Sequence, residues 1–237
     1  MKLDKTHWIK IWTEPRKTIS KIVSKDPNQN LWILAWIYGF LSLLNGSQSL
    51  LLGDYVHFAL ILVLSILIAP FWGMLIFSVW SWVVQGIGKI LKGQGNFSSI
   101  RAAFAWSCVP LIINIFLWML LLFIFDSSLF QTPQMGGGMG LLIFILIAKL
   151  IVIIWSLVIY INALAEVQQF SIARSIINIL ISWIVVGAAI ALIWIGIGFL
   201  VSSPPSHVGG RMWLKNWTVG CTKIAQVDDL ETIVNSF

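Results

Sequence analysis

The amino-acid sequence describes an all-α integral membrane protein, a bundle of five transmembrane helices with its amino terminus in the cytoplasm and its carboxy terminus outside. Three observations lead there. Of the 237 residues 59% are hydrophobic and 10% charged, against averages of roughly 45 to 50% and about 25% in soluble domains. The mean hydropathy is +0.92, so the charged residues that a water-facing surface needs are missing. Finally, residues free of Asp, Glu, Lys and Arg run 27–53, 55–88, 102–125, 127–148, 150–165 and 175–210, and about 20 apolar residues carry a helix across a hydrocarbon core of about 30 Å. Strands of an outer-membrane barrel would instead alternate over about ten residues.

The first element, residues 1–30, is a basic cytoplasmic arm. Ile19, Ile22 and Val23 share one helical face between Pro15 and Pro27, while Lys17, Lys21 and Lys25 form another. That pattern suits a helix lying on anionic headgroups with Trp8 and Trp12 as interfacial anchors, or a solvated basic arm. No continuous apolar stretch follows the first residues, so no cleavable leader is expected.

The membrane domain, residues 31–200, divides into spans at about 31–52, 56–87, 102–125, 140–165 and 175–200. The second, at about 32 residues or about 48 Å of straight helix, must tilt, extend past the bilayer or break. Pro70 removes a backbone donor and displaces the carbonyl of Ile66, with Gly73 close behind, so a break or re-entrant element is one expectation. In the third, Pro110 frees the carbonyl of Trp106, which Ser107 is placed to satisfy, and Asn114 lies one turn on. Proline beside polar groups reads as a hinge or as a static kink. The loop 131–140, with Pro133 and Gly136-Gly137-Gly138, reads as a flexible external connector, and residues 201–237 as an external tail with Trp213 and Trp217 at the interface. Asn216-Trp217-Thr218 in that tail is a glycosylation sequon in a eukaryotic setting.

Orientation follows from the basic residues outside the spans. Lys2, Lys5, Lys10, Arg16, Lys17, Lys21 and Lys25 of the arm, Lys89, Lys92 and Arg101 of the second connection, and Arg174 of the fourth fall on one side; Arg211, Lys215 and Lys223 fall on the other. Eleven against three puts the arm in the cytoplasm. The formal charge of +6 is scattered between apolar runs, which suits a membrane surface and not nucleic acid.

Two segments echo each other. Phe97-Ser98-Ser99-Ile100-Arg101 and Phe170-Ser171-Ile172-Ala173-Arg174 both read Phe-Ser-x-x-Arg, and Trp82 and Trp155 precede them at one offset of 73 residues. Read as parallel repeats, these are two cytoplasmic hairpins in which Ser98 and Ser171 accept from the first free amides of their helices, and Arg101 and Arg174 sit at headgroup level.

These segments also carry a resemblance. Lys92-Gly93-Gln94-Gly95-Asn96-Phe97, followed by Arg101-Ala102-Ala103-Phe104-Ala105-Trp106-Ser107-Cys108-Val109-Pro110, resembles the central signature of the Yip domain family, the Ypt/Rab-interacting polytopic membrane proteins. The stretch 155–176, with Ala165-Glu166-Val167-Gln168-Gln169-Phe170-Ser171, is similar to the segment joining that family's last two spans, and Glu14-Pro15-Arg16-Lys17-Thr18-Ile19 to the segment before its first. The resemblance covers about residues 10–200 and implies five spans, a cytoplasmic amino terminus and an exposed carboxy terminus. Eukaryotic members are associated with Rab GTPases and carry an acidic Tyr-Gly-Pro-type motif in a longer arm. Residues 1–30 lack it, so the chain looks like the short bacterial form and Rab binding is not implied.

Few residues carry chemistry. Lys149, near the bilayer midplane in the fourth span, has three readings: a site for an anionic headgroup or small anion, a partner for Asp126, or a snorkelling cation. Glu166, the one acid between the last two spans, reads as a clamp on Arg174, Arg101 or Lys92 or as a partner site. Gly93-x-Gly95 beside Lys89 and Lys92 reads as a turn or as a phosphate cradle. Two cysteines, Cys108 and Cys221, and three dispersed histidines, His7, His57 and His207, offer no metal or disulfide pattern. There is no Gly-x-Ser-x-Gly, no His-Glu-x-x-His and no paired intramembrane carboxylate, so neither catalysis nor a cofactor is expected. The candidate functional residues are thus Lys149, Pro110, Ser107, Asn114, Glu166, Arg101 and Arg174. The function expected is a membrane-organising or adaptor protein of a bacterial inner membrane, or of Golgi or ER if eukaryotic. As monomer or oligomer, it would engage anionic lipid or a membrane or cytoplasmic protein at its cytoplasmic face. The competing expectation is a small transporter or lipid-translocating protein working through Lys149.

Overall fold

The computed structural model describes residues 5–131 and 139–202. They form eight α-helices and no strand: α1 Lys5–Thr13, α2 Pro15–Lys25, α3 Leu31–Ser49, α4 Phe58–Ile90, α5 Phe97–Ser107, α6 Ile112–Phe125, α7 Met139–Gln168 and α8 Ile172–Ser202. Residues 1–188 form one compact unit and residues 189–237 a second. What is described of the second is the distal length of α8, with Leu192, Trp194 and Ile195 exposed. The connector 132–138, the tail 203–237 and the sequon lie outside the described residues.

Four stretches are long and apolar enough to cross a membrane: Phe58–Ile90, Phe97–Phe130, Leu142–Gln168 and Ile172–Gly198. α3, at 19 residues, stands apart because Asn45, Ser47, Gln48 and Ser49 make its last turn polar.

α4 is one continuous helix of 33 residues with Pro70 inside it, so the expected break is absent. Its freed carbonyl is repaired from outside, because Trp36 Nε1 of α3 donates to Ile66 O at 3.1 Å. Close approach makes this reach possible. Ala35 and Gly39 on α3 face Ala69 and Gly73 on α4 antiparallel, and a Cβ on Gly39 would overlap the Ala69 carbonyl, one on Gly73 the Ala35 carbonyl. Small residues four apart on both helices let the backbones touch, the packing that stabilises helix pairs in lipid.

The third apolar stretch is broken where Pro110 predicts. α5 ends at Ser107, a 3-10 turn spans Val109–Leu111, and α6 begins at Ile112. α5 starts before residue 102, at Phe97, because Asn96 caps it: its Oδ1 accepts from Ser99 N at 2.8 Å. Ser98 is therefore not the cap.

The arm corrects its expectation more deeply. Ile11, Ile19 and Ile22 are wholly buried in one cluster with Ala102, Trp106, Ile159 and Ala163, and α2 packs on α5 and α7. The apolar face assigned to headgroups is covered by the protein's own helices. Trp8 and Trp12 pack on that cluster too, Trp8 with its ring edge-on to Trp106 at 5.5 Å, rather than anchoring the arm at the interface.

Candidate functional site

At the end that carries the arm, α4 and α7 terminate alike. Lys92 adopts the left-handed backbone at φ 64° and Gln169 at φ 56°. Gly93 N donates to Gly88 O at 2.7 Å and Phe170 N to Ala165 O at 2.8 Å, the six-to-one closure of a Schellman end. The two ends clasp each other. Gln94 N donates to Gln168 O at 3.2 Å and Gly95 N to Gln168 Oε1 at 3.2 Å. Gln168 is 1% exposed, and a Cβ on Gly88 or Gly93 would overlap its carboxamide. The backbone amide that the glycine loop offered to a phosphate is spent on a side chain of the same chain. The offset of 73 that aligns the two Phe-Ser-x-x-Arg segments also separates Gly95 from Gln168, so the echoed hairpins meet here.

Within the echo, Ser171 takes the cap position, its Oγ accepting from Arg174 N at 3.4 Å. Arg101 Nη2 donates to Asn28 Oδ1 at 2.9 Å and its guanidinium lies 5.1 Å from the Phe97 ring centroid, so it ties the arm to α5. Arg174 is exposed. Among the described residues Glu166 forms no ion pair with Arg174, Arg101 or Lys92; an ion pair on the arm joins Lys17 and Glu14 at 3.5 Å. The Glu166 contribution is its carbonyl, which accepts from Gln169 Nε2 at 2.9 Å. On the outer face of the arm Lys10, Lys17, Lys21 and Lys25 are exposed, as are Lys89 and Lys92 beside the clasp.

Lys149 is half-buried, and its Nζ stands 3.9 Å from the ring centroid of Trp118 on α6. A cation over an indole face replaces part of the lost hydration. Asp126 is exposed and makes no ion pair with it among the described residues.

The sequence candidates Ser107 and Asn114 meet at a cavity of about 510 Å³ inside the first unit, lined also by Tyr38, Ser42, Asn45, Ser156 and Tyr160 and by apolar and aromatic neighbours. Lys149 is not among the lining residues. Pro110 explains the position of two of them: the 3-10 turn it heads re-aims the chain between Ser107 and Asn114. The Ser107 hydroxyl donates to Phe104 O at 2.6 Å and not to the Trp106 carbonyl. Ser156 Oγ of α7 donates to Ser107 O, and Trp80 Nε1 donates to Tyr160 Oη at 2.9 Å. Asn114, 7% exposed, has a carboxamide that makes no hydrogen bond among the described residues; its Oδ1 is buried without a partner.

Sequence reasoning missed Gln168 as the filler of the glycine loop, Trp118 as the partner of Lys149, and Asn28 as the partner of Arg101. Gln168 had a visible signal, since it ends an apolar helix within the segment that carries the family resemblance. The other two pairings join residues of separate elements, α6 with α7 and the turn before α3 with α5, and leave no local mark.

With helices and no strand among the described residues, and four stretches there long and apolar enough to cross a membrane, the chain is a polytopic integral membrane protein. Its family is the one that the motifs at 92–110 and 155–176 indicate. The chain belongs to the Yip1 domain family, whose sequence profile matches residues 9–195. No curated protein and no solved structure matches it.

Proposed function

We propose that this Yip1-domain protein is a membrane-organising adaptor of a bacterial cytoplasmic membrane, with α3 as its fifth span, the arm inside and the carboxy terminus outside. One observation carries the reading. Because Ile19 and Ile22 are spent on the protein's own core, α2 is held rigidly with Lys17, Lys21 and Lys25 turned outward. A fixed row of cations at the membrane surface suits anionic headgroups or an acidic partner protein, each cation near such a surface contributing about 1 kcal/mol. Transport through Lys149 has less support, since that side chain rests on Trp118 and does not line the cavity.

The test is lipid selectivity in reconstituted vesicles of phosphatidylcholine and phosphatidylglycerol. Spin-labelled phosphatidylglycerol should be immobilised in preference to phosphatidylcholine, and a variant with Lys17, Lys21 and Lys25 changed to Ser should lose the preference. A folded protein that shows none would move the reading to a protein partner, sought with a photocrosslinker at position 21 in intact cells. Fluorescent-lipid translocation that disappears in Lys149→Leu would overturn the adaptor reading for transport.

A further inference from the structure

The cavity has properties that the basic end does not use. Its volume of about 510 Å³ falls within the roughly 300 to 1,000 Å³ of ligand pockets. Its lining includes Val79 of α4, Ile153 and Leu157 of α7 and Trp183 of α8, each at least two-fifths exposed. Ile153 and Trp183 stand near the middle of the apolar stretches Leu142–Gln168 and Ile172–Gly198. The mouth therefore opens sideways onto hydrocarbon, and whatever enters arrives dissolved in the bilayer.

The lining also selects. It contains no Asp, Glu, Lys, Arg or His, so a charged group would be desolvated there without a counterion. That excludes a phosphate headgroup, which belongs at the membrane surface, while Asn114 lies well inside the stretch Phe97–Phe130. The hydroxyl protons of Ser107 and Ser156 are committed to backbone carbonyls. Asn114 and Tyr160 are not, nor are the Tyr38 hydroxyl and Asn45 Oδ1 on the α3 side of the cavity. The Asn114 carboxamide has donors and an acceptor without partners among the described residues, and Tyr160 accepts from Trp80 while keeping its own proton to donate. An unpaired carboxamide in an apolar site costs free energy that a ligand able both to donate and to accept recovers.

We propose that this cavity binds a neutral membrane-dissolved amphiphile, a long-chain alcohol or primary amide, its apolar body among Ile153, Leu157 and Trp183 and its head on Asn114. The site is independent of the adaptor reading, because none of its lining residues belongs to the arm or the clasp.

The experiment uses the full chain in nanodiscs and two diazirine probes of equal length, a long-chain alcohol and the corresponding alkane, with mass-spectrometric mapping of the labelled residues. The alcohol should label peptides containing Asn114 and residues 153–160 about two- to tenfold more than the alkane, the range that one net hydrogen bond supplies. Asn114→Leu, close in volume, should erase that difference and keep the alkane signal. Leu157→Trp at the mouth should lower both. Equal labelling of the cavity by the two probes in the unmodified protein would overturn the proposal without recourse to any variant. So would alcohol labelling spread evenly over outward residues such as Leu67 and Leu146 and unchanged in Leu157→Trp.

Discussion

α3 and residues 172–188 of α8 both touch α4, and they are held in opposite ways. α3 approaches until backbones touch, at Ala35 with Gly73 and at Gly39 with Ala69. Two tryptophans reach across the same seam, Trp36 to Ile66 O at 3.1 Å and Trp72 to Ser42 Oγ at 3.2 Å. Over residues 172–188, α8 is fastened at separate points: Ser175 Oγ donates to Ile161 O at 3.0 Å, Asn178 Nδ2 donates to Val84 O at 3.3 Å, and the Trp183 ring lies 5.2 Å from that of Trp80. Ile176, Ile177, Leu180 and Ile184 remain exposed. The helix with the polar last turn is the more embedded one. In lipid, apolar side chains gain nothing by leaving hydrocarbon for a neighbour, so contact shape decides which helices pack and hydropathy decides only that they are in the membrane.

The comparison breaks most visibly at the seam. Gly39→Leu or Gly73→Leu should cost about 3 kcal/mol by overpacking, read as a fall in the thermal midpoint of the detergent-solubilised protein; an unchanged midpoint would mean that α3 is not seated as described. Gln168→Ala, which empties the glycine loop at the turn leading into α8 and orphans Gly95 N, should cost about 2 kcal/mol. Hydrogen exchange at Gly95 should rise with it. Trp36→Phe leaves the Ile66 carbonyl above Pro70 without its donor and should cost about 1 kcal/mol, with faster exchange confined to α4 around Pro70. Asn178→Leu should be the mildest, about 0.6 kcal/mol, loosening the amides of residues 172–188. If it costs as much as Gly39→Leu, the two attachments are not different in kind.

The helices themselves were legible because span length and charge-free runs are local quantities. The family was legible too, in the motifs at 92–110 and 155–176. What needed a second helix was hidden. The amphipathic pattern of Ile19, Ile22, Lys17 and Lys21 states only that one face avoids water, and it is the same pattern whether α5 and α7 or a bilayer covers that face. Pro70 reads as a break until Trp36, 30 residues before Ile66, is found on the Ile66 carbonyl. Gly93-x-Gly95 announces room for something, and Gln168 as the occupant comes from two apolar stretches later. Ser107 and Asn114 flank Pro110 in the sequence and both line the cavity, whereas Lys149, which stands out only as a cation inside an apolar run, lies on Trp118 and not among the lining residues. Asn96 lost the cap to Ser98 in sequence reasoning because a Phe-Ser-x-x-Arg echo favoured the serine, whereas helix geometry favoured the residue just before Phe97.

The burial of the arm also has a consequence in time. α2 is made well before the α7 residues Ile159 and Ala163 that share its core: they follow roughly 140 residues later, about 7 to 28 s at the usual rate of synthesis. Through that interval the part of the Ile19 and Ile22 surface that α7 covers stays open, while the residues of the cluster from α1, α3 and α5 are already made. The core around α2 is therefore closed only when α7 arrives.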